Sequence, residues 1–272
     1  MAAGGIGRRA TPLTLGVMLV LLYVFLFAPV VYLVYTSFAA NTTWPFPWQP
    51  NVAAYVSLVD LRAYREALWN SLTIGLGTAS ISMVLSAMGS IAVLKYRHRW
   101  RGLFSIILVS PMFVAELLIG ISTLIFNRKV LGLPGNVGSA IIANTVHGMS
   151  FGFLIMLAQL VRYDWRLDDA AMVFGANPFR CFWHVTAPNI WPAMLGAFVI
   201  TFLLAFNNLE ISFYNLGAVP TLPSLAWGSL RYGLEAELFA LAALVNGVVF
   251  LAFVVIYVLM RLGIVRFGYR GI

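Results

Sequence analysis

RYDWRLDDAAMVFGANPFRCFWHVTAPNIWP, residues 162–192, carries more local structure than any other stretch of the chain. It reads as two short amphipathic helices separated by a glycine. The first spans about 164–174. Asp164 can cap its start, and Gly175 stops it at a position where a positive φ costs little. The second begins at Asn177, a good N-cap, with Pro178 as its first helical residue. It is expected to end before Pro188, where the next apolar run begins. Ala170, Ala171, Val173, Phe174, Phe179, Phe182 and Val185 give the element an apolar surface. A patch of that kind implies either a partner or burial against the chain's own helices.

The element sits between long apolar runs. Crossing about 30 Å of hydrocarbon at about 1.5 Å per residue takes about 20 residues. Six runs qualify, at 13–38, 69–94, 104–126, 140–160, 190–210 and 239–262. Of the 272 residues, 61% are hydrophobic and 10% charged, against roughly 25% charged in soluble domains. The expected fold is therefore all-α, a polytopic membrane protein of six transmembrane helices. The single cysteine, Cys181, excludes an intramolecular disulfide and a cysteine-based metal cluster.

Lys and Arg set the expected orientation. With the N-terminus inside, the inner segments hold Arg8, Arg9, Lys95, Arg97, Arg99, Arg101, Arg162, Arg166, Arg180, Arg261, Arg266 and Arg270, and the outer ones only Arg62, Arg65, Arg128, Lys129 and Arg231. Both termini are expected in the cytoplasm. Trp44, Trp48, Trp69, Trp100, Trp183 and Trp191 flank the runs as interfacial aromatics do. The run at 13–38 exceeds the roughly 7–15 apolar residues of a secretory signal and reads as a retained first span. The segment 39–66 reads as an ordered, non-helical external loop. Residues 211–237, with Gly217, Pro220, Pro223 and Gly228, cannot form one continuous helix. The Asn41-Thr42-Thr43 sequon is read as chance.

The formal charge of +8 would suggest nucleic acid in a soluble protein. Here the basic residues mark alternate ends of spans, so no nucleic-acid partner is expected. Lys95 and Lys129 are the only lysines, and neither sits in a phosphate-binding G-x-x-x-x-G-K-[ST] loop. ATP hydrolysis would have to belong to another polypeptide. His98, His147 and His184 lack metal-ligand spacing, and no nucleophile signature appears. No catalytic residue, metal or cofactor is expected.

Polar residues within the runs mark candidate pathway positions. Glu116 falls near the middle of the third run, where a carboxylate costs roughly 2.5–3.5 kcal/mol. His147 lies in the fourth run beside Asn144. Asn207, Asn208 and Glu210 lie toward the outer end of the fifth. Each also has a structural reading, as a buried or capping group. Gly75, Gly77, Gly89 and Gly120 permit close helix packing.

Asp169-Ala170-Ala171, three residues, Gly175, nine residues, then Val185-Thr186-Ala187-Pro188 resembles the EAA loop of type I ABC importer permeases. That pattern is Glu-Ala-Ala, a Gly four residues after the second Ala, and Ile-x-Leu-Pro after nine more. Asp replaces Glu, Val replaces Ile and Ala replaces Leu, while spacing, Gly and Pro are kept. The resemblance implies a coupling helix docking on an ATPase subunit through Asp169, Ala170, Ala171, Gly175, Val185 and Pro188. Asp169 would make the polar contact and Gly175 the turn. ITFLLAFNNLEISFYNLG at 200–217, with Leu222-Pro223 and 233–244, is similar to the spermidine/putrescine branch, which tends to carry acidic residues at the positions of Asn207 and Asn208. The resemblance implies one permease domain over 1–272, with the coupling loop at about 162–188, in a bacterial inner membrane. It implies a dimer of ABC ATPase subunits, a second permease subunit and an extracytoplasmic solute-binding protein as partners. The expected substrate is a small organic solute of polyamine type. Alternatives are an amino-acid-derived, zwitterionic or carboxylate solute, or an ion-coupled secondary transporter or channel.

Overall fold

A computed structural model of the chain describes residues 7–39, 51–96, 99–232 and 236–261. Trp44, Trp48, the sequon, Arg97, His98, Arg266 and Arg270 lie outside the described residues. What is described is helical, and it divides into two compact units, residues 1–62 with 228–272 and residues 63–227.

The first unit holds α1 (Gly7–Ser37), α2 (Ala53–Asp60) and α12 (Ala236–Arg261), with α12 packed on both of the others. From Leu15 to Phe27 the large apolar side chains of α1 are all exposed. A helix apolar on every face and long enough to span has lipid as its solvent. Polar bonds gather near its C-terminal end. Ser37 Oγ lies 2.6 Å from Tyr55 Oη, and Ser57 Oγ donates to Glu237 Oε1 at 3.1 Å. Helix α2, with the start of α3 (Arg62–Lys95), corrects the expectation of a non-helical loop over 39–66 for residues 53–60 and 62–66; residues 40–50 lie outside the described residues. The AAYVSLVD sequence of α2 contains no helix breaker, and Asn51 Oδ1 accepts from the Ala53 amide at its start.

The second unit is a bundle built around α3 (Arg62–Lys95) and α6 (Val137–Leu160). Thr78, Ser82, Ser86 and Ser90 recur every four residues on one buried face of α3. They meet Gly148 and Gly152 of α6. Ser86 Oγ donates to Met149 O, and Ser90 Oγ to Phe153 O. Small residues let two backbones approach where lipid supplies no hydrophobic drive. Close packing at the expected glycines is present too: a Cβ at Gly77 would lie 2.7 Å from Ile141 and one at Gly120 would lie 3.0 Å from Tyr214. On its other side α6 packs against α9 (Ala187–Phe206), where Met156, Leu160, Ile190 and Ala197 form an apolar cluster.

The third expected span is not continuous. Helix α4 (Arg101–Val109) and a 3₁₀ turn (Ser110–Phe113) end at Val114, and α5 (Glu116–Lys129) leaves at 108° to them. Pro111 in the 3₁₀ turn lacks an amide hydrogen, and Val114 and Ala115 are extended at ψ 135. Glu116 therefore heads a new helix, at the bend between the two halves of that run. The fifth expected span, 190–210, ends earlier, at Phe206. Asn207, Asn208 and Leu209 form a break before α10 (Glu210–Leu216). Gly217 at φ +72 then separates α10 from α11 (Leu222–Tyr232), as the glycines and prolines require. Four helices are long and apolar enough to cross a bilayer among the described residues, and the bent pair adds a fifth if it is one span. Helix α12 lies over the sixth expected run.

Candidate functional site

The 162–192 element folds as α7 (Arg166–Val173), a glycine turn, and α8 (Pro178–Cys181). Asp164 Oδ1 accepts from the Arg166 amide at 3.0 Å. At the far end the amide of Gly175 donates to Met172 O and that of Ala176 to Ala171 O. This paired closure needs a left-handed residue, and Gly175 has φ +88. Asn177 caps α8, its Oδ1 accepting from the Arg180 amide at 2.7 Å, with Pro178 in the first helical position.

Helix α8 does not stop before Pro188. It runs through a π turn (Phe182–Thr186) into α9, so that 178–206 is one continuous helix. The wider π turn, with the Ala187 amide donating to Phe182 O, absorbs the residue whose nitrogen cannot donate.

Val173 is 85% exposed and Phe174 91%, and Phe179 and Trp183 are exposed beside them. The apolar patch therefore faces outward and forms a knob at the glycine turn. Asp169, Ala170, Gly175 and Pro188 are exposed, while Ala171 and Val185 are half-buried.

A group that sequence reading passed over lies beneath the knob. Asp168 has no exposed surface. Its Oδ2 takes a 2.6 Å ion pair from Lys95 Nζ, at the end of α3. Its Oδ1 accepts from Tyr163 Oη at 2.7 Å and from Thr186 Oγ1 at 3.0 Å. Lys95 also lies over the Trp165 ring, 5.4 Å from its centroid. Burial pushes the Asp168 carboxyl up, but the hydrogen bonds from Lys95, Tyr163 and Thr186 and the Lys95 charge outweigh it and hold the group below the usual carboxylate value. Burial and the bond to Asp168 push the Tyr163 phenol well above its ordinary range. In sequence, nothing distinguishes Asp168 from Asp169 beside it.

The pathway candidates meet at the two helix breaks. Asn208 Nδ2 donates to Glu116 Oε2 at 2.6 Å, joining the start of α5 to the end of α9. Asn208 Oδ1 accepts from the amides of Ile211 and Ser212 and so caps α10. His147 Nε2 of α6 approaches Glu116 Oε1 at 3.5 Å. The His147 ring is almost wholly buried, edge-on to Phe151, with Nδ1 unpartnered. The Glu116 side chain is 40% exposed and lines an open pocket of about 370 Å³ with Asn207, Asn208, Ile200, Leu203 and Leu204. Glu116 also occupies the first turn of α5, where unpaired amides favour a negative charge. Glu210 heads α10, exposed, outside that pocket lining. Asn144 bonds to Ser212 Oγ and serves the packing of α6 on α10. The pocket presents one carboxylate, two amides and an apolar wall, a set suited to a small cationic or hydrogen-bonding solute.

No protein-family model matches the chain. It is 28% identical to the putrescine transport system permease protein PotI of Escherichia coli K12 over 256 residues, 90% of each chain. It is 23% identical to the spermidine/putrescine transport system permease protein PotC of the same strain, over 82% of this chain and 84% of that one. Among solved structures, a bacterial ABC transporter that imports the acidic polysaccharide alginate has a chain that superposes with a TM-score of 0.77 at 16% identity, covering 94% of this chain and 99% of its own. The bacterial alginate ABC transporter in complex with an alginate pentasaccharide-bound periplasmic protein gives 0.65 at 15% identity, over 92% and 93%. The fold is that of ABC importer permeases, as the loop at 162–188 implied.

Proposed function

We propose that this chain is a transmembrane permease subunit of an ATP-driven ABC importer, and that it forms part of the translocation pathway for a small polyamine-like solute. The observation that carries the reading is the exposed knob of Val173 and Phe174 on a glycine-closed helix pair, in a chain without a nucleotide-binding loop. A partner groove that buried those side chains would gain about 1.5–3 kcal/mol for each. An ATPase dimer docking there supplies the energy. A second permease chain completes the pathway, and an extracytoplasmic binding protein delivers the solute. The whole chain acts as one permease domain in a bacterial inner membrane, with both termini and the knob on the cytoplasmic side. Similarity to PotI and PotC along most of the chain supports the polyamine class. Glu116 retains a carboxylate for an ammonium group, although Asn207 and Asn208 are neutral.

The 108° break before α5 favours a second reading, an ion-coupled transporter, because such proteins bind at broken helices. That reading leaves the knob without a purpose. Purification in mild detergent with the ATPase, followed by uptake in proteoliposomes, separates the two. ATP-dependent putrescine uptake, little competed by carboxylate solutes, is expected. Glu116→Gln should lower it about tenfold or more, since a charged hydrogen bond contributes about 1.5–3 kcal/mol. Glu210→Gln should leave it near wild type. Uptake driven by an ion gradient without ATP would overturn the permease reading.

A further inference from the structure

Helix α7 buries a single side chain, Asp168. Its outward apolar residues Val173 and Phe174 do nothing to hold it to the bundle. Trp165 at its start packs on the apolar cluster of α6 and α9, and the polar junction at Asp168 ties the helix itself down, with partners from three different places. Lys95 is the last residue of α3, Tyr163 lies just after α6, and Thr186 ends the π turn that leads into α9. The Cys181 thiol of α8 also reaches the Asp168 main-chain oxygen, at 3.7 Å. Three spans thus converge on one carboxylate under the knob.

Resting on the permease reading, we infer that the Lys95–Asp168 pair is the positioning link through which displacement of the knob reaches the pathway. A buried carboxylate cannot slide off its cation without leaving charge uncompensated. When a partner shifts α7, the end of α3 is therefore drawn with it. The serine face of α3 is bonded to α6 through Ser86 and Ser90. Helix α6 in turn carries His147, which touches Glu116. The route runs from Phe174 through Asp168, Lys95, α3 and α6 to the pocket. Asp169, exposed on the same helix, remains available for the partner.

The test uses the intact importer in lipid nanodiscs, with Cys181→Ala removing the native thiol. Phe174→Cys reports docking by cross-linking to the ATPase. Asn207→Cys, in a second protein, reports the pathway through its labelling rate with a membrane-impermeant maleimide. ATP with vanadate should change that rate about tenfold, within the usual range of allosteric coupling. Asp168→Asn and Lys95→Met should keep the cross-link but reduce the response to less than about twofold, and Lys95→Arg should retain it. A full response in Asp168→Asn and Lys95→Met overturns the link. So does loss of the cross-link in both, which would make the pair a folding element only. A protein otherwise wild type whose position 174 never cross-links to an ATPase sinks the permease reading itself.

Discussion

Gly175 and Asp168 shape the same helix by different means. Gly175 acts through its backbone alone: φ is +88, and a Cβ there would meet nothing within 4 Å. Gly175→Val should therefore strain the turn by about 1 kcal/mol or more without crowding a neighbour. Membrane insertion should hold and the melting temperature in detergent should fall by only a few degrees, while ATPase affinity falls about fivefold. A titration of detergent-solubilised permease with purified ATPase measures that split. Asp168 acts through charge. Its folded value is lowered from 3.8, so its contribution is present above that value and is lost as pH falls through the lowered one. The stability advantage of wild type over Asp168→Asn should be constant from neutrality to about pH 4 and shrink below it. Melting curves across that range check it, and an advantage that grows with acid would contradict the ion pair. Gly175 was legible because a positive-φ stop has a sequence signature. Asp168 was not, because its partner Lys95 is fixed by tertiary structure far along the chain.

Among the elements, the α3–α6 contact has the least room. A Cβ at Gly152 would come within 2.5 Å of Ser86 Oγ. Gly152→Leu should push the helices apart and destabilise the bundle by about 1–3 kcal/mol. Gly152→Ala should cost less and be relieved by Ser86→Gly, a pairing that thermal unfolding in detergent resolves. Apolar length and hydropathy placed most of the long helices, and Asn177 with Pro178 placed the start of α8. The break at Val114 and Ala115 escaped because both sides of it are apolar, so a hydropathy reading runs across it. Pro111 was a signal that a stricter reading would have used. The continuation of α8 into α9 escaped for the opposite reason: Pro188 looked like a boundary, and a π turn accommodated it.

At the scale of the whole molecule, orientation is the property most open to measurement. Single cysteines on a Cys181→Ala background, at Arg99 and Arg180, should react with an impermeant reagent only from the cytoplasmic side, and one at Arg231 only from outside. External reaction at position 180 would place the knob where no ATPase can reach it. The bend before α5 bears on how such a chain is made. Helix α5 has 14 residues, about 21 Å of helix, and α4 has 9, so neither alone reaches across about 30 Å of hydrocarbon. Glu116 at the head of α5 makes it a still poorer candidate for the insertion machinery. Its acceptable surroundings are His147 of α6 and Asn208 before α10, which the ribosome delivers later. The segment is therefore expected to enter the bilayer only after synthesis has passed it: a nascent chain arrested before Asn208 should leave a cysteine in α5 open to an impermeant reagent, and one arrested beyond α10 should protect it.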